Sequence, residues 1–131
     1  MYTFKKEERL CNKTLITGLY HKGSSFLCYP FKVSWLKSAE PMPYPVQVLF
    51  SVPKKRYKHA VDRNLIKRRM REAYRLHKQS LLYDKLAAGN IQLVLSLSYV
   101  GKEIVDYAFM EKKMLKMLGE LCAQLPNEVD K

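Results

Sequence analysis

No stretch of this chain approaches the roughly 18–20 unbroken apolar residues that a membrane-spanning helix requires. The opening residues, Met1-Tyr2-Thr3-Phe4-Lys5-Lys6-Glu7-Glu8-Arg9, turn charged at once with no apolar run behind them. A signal peptide is therefore not expected, and the expected location is the cytoplasm. Cysteine is sparse: Cys11, Cys28 and Cys122 lie far apart and form no Cys-x-x-Cys pair. Reduced, packed or idle thiols are the simplest reading of such a set. A stand-alone nuclease would need a carboxylate cluster for metal ions or a histidine base with a partner. His21, His59 and His77 are dispersed, and no Asp-x-Asp or His-x-x-x-His occurs. No catalytic residue and no metal-ligand set is therefore expected in the chain itself. Internal repeats and low-complexity tracts are absent too.

Acids are scarce in proportion. The 131 residues hold 24 Lys and Arg against 12 Asp and Glu, a formal charge of +12 with a pI near 9.7. Hydrophobic residues reach 47%, enough for a packed core in a single domain spanning 1–131. The charge is uneven. Segment 54–78 carries eleven bases and two acids, so it holds +9 of the +12. A field of that sign attracts polyanions: nucleic acid, an anionic membrane or an acidic protein.

Periodicity gives a coarse order of elements. Asn12 can cap a short helix with Leu15, Ile16, Leu19 and Tyr20 on one side and Gly23 as its stop. Phe31, Val33 and Trp35 alternate with Lys32 and Ser34, which reads as a strand; Pro30 inside that run argues for an edge position or a bulge. After the turn Pro41-Met42-Pro43-Tyr44-Pro45, Val46, Val48, Phe50 and Val52 form a second strand, expected to pair antiparallel with the first. A helix is predicted over 60–78, a helical turn or loop over 79–88, and a third, central strand over 91–97. A long helix over 102–124 carries Ile104, Tyr107, Met114, Leu118, Leu121 and Leu125 as its apolar stripe. The order α-β-β-α-β-α is that of an α+β fold, an α/β two-layer sandwich of a small sheet packed by helices.

At 100° per residue, Arg63, Lys67, Arg71, Arg75 and Lys78 share one arc of helix 60–78, with Arg68 at its edge. Leu65, Ile66, Met70, Ala73 and Leu76 share another, into which Arg69 intrudes and must snorkel or pair. Like charges at i, i+4 repel by a few tenths of a kcal/mol per pair. Only Glu72 is near enough to relieve them, and it is expected to project away from the ridge. Polyanion binding explains the ridge better than a solvated helix does, and the planar fork of Arg suits phosphate. Lys54, Lys55, Arg56 and Lys58 extend the grip. A membrane surface is disfavoured, because the apolar arc has no Trp or Phe and a central Arg69.

The run Ala60-Val61-Asp62-Arg63-Asn64-Leu65-Ile66-Lys67-Arg68-Arg69-Met70-Arg71-Glu72-Ala73-Tyr74-Arg75, preceded by Ser51-Val52-Pro53-Lys54-Lys55, closely resembles the signature of the bacterial ribonuclease P protein component. The resemblance extends over most of the chain, from Arg9-Leu10 to the last helix. It departs where many relatives have Arg for Leu65, Gly-Asn within the space filled by Arg56-Tyr57-Lys58-His59, and Phe for Ile16.

The resemblance implies a left-handed β-α-β crossover containing the basic helix, although general rules favour the right-handed form. It implies a protein that assists endonucleolytic removal of the 5′ leader from precursor tRNA, with the active site and most of the Mg²⁺ in a catalytic RNA. Its expected partners are that RNA and precursor tRNA, with no membrane and no protein partner required. Carried over by position, Arg63, Asn64, Lys67, Arg68, Arg71 and Arg75 would contact the catalytic RNA, with Lys54, Lys55, Arg56 and Lys58 beside them. Ile16 and Tyr20, with Phe31, Val33 and Trp35 or their opposite face, would line the leader cleft; core packing is the alternative for each. The other readings are a non-catalytic ribosomal or rRNA-assembly protein, whose bulk charge would look the same, and a stand-alone nuclease.

Overall fold

The computed structural model describes residues 8–10, 13–38, 44–89 and 91–124. Helix α1 spans Lys13–Lys22, and strands β1, β2 and β3 span Ser24–Cys28, Phe31–Lys37 and Val46–Ser51. Helix α2 spans Ala60–Lys78 and runs through a π-helical turn, Gln79–Tyr83, into α3, Asp84–Gly89. Strand β4 (Leu93–Tyr99) and helix α4 (Tyr107–Gln124) complete the fold. The expected cap Asn12 and residues 41–43 of the expected turn, together with Cys11 and Leu125, lie outside the described residues.

The sheet order is β1-β2-β4-β3. The third strand read from the sequence is central as expected, but its neighbours correct the pairing. β2 and β3 do not pair: β4 lies between them, antiparallel to β2 and parallel to β3. Alternation marks a strand and its buried face, and leaves its partner open. Strand β1 is an added element, joined to β2 by the turn at Tyr29-Pro30, whose peptide is cis. Pro30 therefore lies in a turn outside β2, and β2 is internal rather than an edge.

Alternation divides the sheet into two faces. Phe31, Val33 and Trp35 of β2, Val46 and Val48 of β3, and Leu93, Leu95, Leu97 and Tyr99 of β4 enter one core. Helix α2 adds Ile66, Met70, Ala73 and Tyr74, and α4 adds Met110, Met114, Met117, Leu118 and Leu121. Truncating a fully buried side chain such as Ile66 to Ala costs about 2–5 kcal/mol in such a core. The other face carries a smaller core, Leu10, Leu19 and Val94, with Ile16, Leu36 and Leu49 packed around it under α1. Gly23 ends α1 tightly against β2: a Cβ there would meet the Leu19 carbonyl and come within 2.8 Å of the Trp35 carbonyl.

Helix α4 starts later than its apolar stripe implied. Asp106 caps it, its carboxylate accepting the Phe109 amide at 2.8 Å. Ile104 consequently lies before the helix and is exposed. Cys28 is buried and Cys122 half-buried, its thiol donating to the Leu81 carbonyl at 3.0 Å. Burial pushes both thiols up, away from the reactive thiolate.

Candidate nucleic-acid interface

The basic segment begins in the connection between β3 and α2. The turn at residues 54–56 projects Lys54, Lys55 and Arg56 into solvent, and Lys58 and His59 are exposed as well. Tyr57 fixes this connection. Its ring is buried against Tyr99, 6.0 Å between centroids, and its hydroxyl donates to the Gly101 carbonyl at 2.7 Å. Arg63 reaches back from the first turn of α2 and donates to the carbonyls of Tyr57 (2.9 Å) and Lys58 (2.8 Å). Residues 56–59 thus form an anchored turn. One ridge arginine is occupied in holding it.

Along α2 the cations separate into two groups. Lys67, Arg68 and Arg71 lie on the outer face, and among the described residues no carboxylate pairs with them. Asn64, Arg68 and Arg71 line a depression of about 550 Å³ with Val61 and Leu65. The last two turns differ. Arg75 donates to Glu72 twice, from Nε at 3.1 Å and from Nη2 at 2.5 Å, so Glu72 does not project away from the ridge. Those hydrogen bonds hold the Glu72 carboxyl below the usual carboxylate range. His77 Nε2 lies 3.0 Å from Glu111 of α4.

Lys78 leaves the ridge altogether. It is 2% exposed, paired with the equally buried Glu8, and lies 5.2 Å from the centroid of the Tyr83 ring. Tyr83 donates to the same carboxylate at 2.5 Å. Burial, then Tyr74 and Glu8, push the Tyr83 phenol well up, so it remains a donor. The π-helical turn that follows Lys78 brings both side chains onto Glu8. Arg69, the intruder on the apolar arc, donates to the Val105 carbonyl ahead of α4.

The second candidate surface lies beside α1. A cleft of about 270 Å³ is walled by Leu19, Tyr20 and Gly23 and floored by Ser25, Lys32, Ser34, Ser96 and Ser98. The register stacks these floor residues across strands: Ser25 opposite Ser34, Ser34 opposite Ser96, and Lys32 opposite Ser98. Tyr20 is 57% exposed, and its hydroxyl is 2.9 Å from Ser96 Oγ. A tethered, exposed ring above hydroxyls and one ammonium can stack a base and bind sugar or phosphate.

Phe31, Val33 and Trp35 do not line this cleft: they point to the opposite face and are buried against α2 and α4. Ile16 is half-buried against the smaller core rather than among the cleft residues. The floor residues Lys32, Ser34, Ser96 and Ser98 follow from alternation once the buried face is known. Their own signal is the polar alternation Ser96-x-Ser98 in an otherwise apolar strand.

Residues 4–121 match the family model described as Ribonuclease P. The ribonuclease P protein component of Porphyromonas gingivalis is 34% identical over 126 residues, covering 96% of this chain and 91% of that protein. That of Chlorobium phaeobacteroides is 36% identical over 131 residues, covering 91% and 88%. Among solved structures, the RNase P protein of Staphylococcus aureus shares the fold with a TM-score of 0.67 at 23% identity, over 93% of this chain and 100% of that one. That of Thermotoga maritima gives 0.68 at 23% identity, over 86% and 96%.

Proposed function

The chain belongs to the ribonuclease P protein family, and from that premise we propose a division of labour between its two surfaces. It is the protein subunit of a ribonucleoprotein endoribonuclease acting in tRNA 5′ maturation, partnered with the ribonuclease P RNA. The proposal is that α2 and the turn before it grip the catalytic RNA, while the cleft beside α1 receives the 5′ leader of precursor tRNA. Chemistry then belongs to the RNA. Lys67, Arg68 and Arg71 carry the reading: three cations on one helix face, Arg68 exposed and Lys67 and Arg71 half-buried, with no carboxylate among the described residues to pair with them. Each can exchange condensed counterions for a phosphate contact.

Mg²⁺ is implied by the reaction, and these residues do not fit it. The outer face of α2 offers guanidinium, ammonium and amide groups, whereas Mg²⁺ takes oxygen ligands, mostly carboxylate, phosphate and water. Among the described residues no three His, Cys, Asp or Glu side chains gather into a metal site. In the proposed complex the ion is therefore held by RNA. In the cleft, Tyr20 would stack an unpaired leader base, and Lys32 with the serine hydroxyls would bind its backbone. A mature tRNA has no leader to place there, so the cleft favours precursor over product.

Reconstitution tests this reading. The protein is mixed with a bacterial ribonuclease P RNA at low Mg²⁺ and offered a 5′-extended tRNA, with each component alone beside it. Cleavage by the mixture, and none by the protein alone, is the expected result. Cleavage by protein alone would place a nuclease site in the chain. Tight RNA binding without stimulation, with a closely related RNA also tried, would favour a structural RNA binder.

A further inference from the structure

The floor of the cleft beside α1 is uniform in its chemistry. Ser25, Ser34 and Ser96 stand in one row across β1, β2 and β4, and Lys32 and Ser98 stand in the next. Neighbours within a row have Cβ atoms about 4.5–5.5 Å apart. The rows lie two residues apart along a strand, about 6.6 Å. The hydroxyls differ in what reaches them. Ser96 is 2% exposed and its Oγ lies 2.9 Å from the Tyr20 hydroxyl, so it holds the ring. Ser25 and Lys32 are exposed and Ser98 is half-buried. Ser34 lies between Ser25 and Ser96, with Lys32 two residues before it on the same strand.

Among the described residues that line the cleft there is no Asn, Gln, Asp, Glu or Arg. Those are the side chains that read base edges through a fixed pattern of donors and acceptors. A floor made for phosphate alone would carry several cations, as α2 does, and this one carries Lys32. A serine hydroxyl rotates, and it both donates and accepts. It suits a partner that also does both, whatever base is attached. The ribose 2′-hydroxyl is such a partner, and it is the group that tells RNA from DNA.

We infer that this cleft recognises a leader by its ribose and not by its bases. Ser34 and Ser98 hydrogen-bond 2′-hydroxyls, Lys32 beside them meets a phosphate, and Tyr20 stacks on a base of any identity. Ser96 is a positioning residue, acting through the Tyr20 ring. The inference rests on the cleft receiving the leader and adds what is read there. Serine is also small, so the sugar edge can approach the sheet closely.

The test is binding of precursor tRNA by the reconstituted holoenzyme, with mature tRNA beside it. Leaders are all-ribose or 2′-deoxy, keeping ribose at the nucleotides flanking the cleaved bond; a second set varies the bases. The protein is the parent, Ser34→Ala, Ser98→Ala or Tyr20→Ala, each checked for folding by thermal melting. The parent is expected to bind the deoxy leader about tenfold more weakly, the value of one or two neutral hydrogen bonds. Ser34→Ala and Ser98→Ala are expected to weaken binding of the ribose leader and to leave the deoxy leader unchanged. Exchanging A, C and U in the leader is expected to alter affinity less than about threefold, because stacking tolerates every base. Equal binding of ribose and deoxy leaders, with precursor still preferred to mature tRNA, would overturn the inference and leave the cleft standing. A sugar effect that neither serine variant reduces would overturn it too. So would a base preference above about tenfold, the discrimination of a base-edge contact. Equal binding of precursor and mature tRNA by the parent would instead bring down the leader reading on which the inference rests.

Discussion

The middle and the end of helix α2 carry similar cations at similar spacing and pair them differently. In the middle, Lys67, Arg68 and Arg71 face outward and meet no carboxylate among the described residues. In the last two turns Arg75 meets Glu72, His77 meets Glu111, and Lys78 meets Glu8. In the proposed reading the partners decide the role: a cation left without a carboxylate meets an external phosphate, whereas one supplied with a carboxylate serves the fold. A helical wheel sees only the spacing, so it places Lys78 and Lys67 on one ridge. The buried pair contradicts that, because an ammonium out of water persists only with a partner.

The comparison breaks most visibly at the buried end. Glu8→Ala leaves Lys78 buried without its carboxylate and Tyr83 without its acceptor, and is expected to destabilise the protein by about 3–5 kcal/mol in denaturant melts. A loss below 1 kcal/mol would mean that the pair is not sealed from water. Arg63→Ala is expected to cost less, about 1.5 kcal/mol, because two carbonyls of the basic turn lose a charged donor. Arg68→Ala should leave stability within about 0.5 kcal/mol of the parent. Equal costs for Arg63 and Arg68 would erase the distinction between a cation that holds the turn and one that faces out. Tyr20→Ala sharpens the contrast between the two surfaces: it is expected to weaken precursor tRNA binding to the holoenzyme roughly tenfold, the value of one stacked base. Mature tRNA binding should hardly change, and equal loss for both would return Tyr20 to a structural role.

What was legible in the sequence had local causes. The apolar period of α2, the alternation of β3 and β4 and the polar-cation face were all visible because each lies within one segment. β1 was not, since Ser24-Ser25-Phe26-Leu27-Cys28 lacks an apolar alternation and leaves Leu27 65% exposed. The parallel pairing of β3 with β4 was not, because an intervening helix makes the register a long-range property. Trp35 and Phe31 read equally well as cleft or core, since alternation separates two faces without naming the covered one. The burial of Lys78 depends on Glu8, seventy residues away. The start of α4 could have been found: Asp106 directly before a helical run is a cap signal.

The most direct test of the divided helix is the salt dependence of ribonuclease P RNA binding for Arg71→Ala beside Arg75→Ala. Arg71→Ala is expected to flatten the slope by about 0.7–0.9, one counterion-releasing contact. Arg75→Ala, whose charge Glu72 already neutralises, should change it by much less. Equal flattening by both variants, or by neither, would contradict the division of α2 into a half that grips RNA and a half that holds the fold.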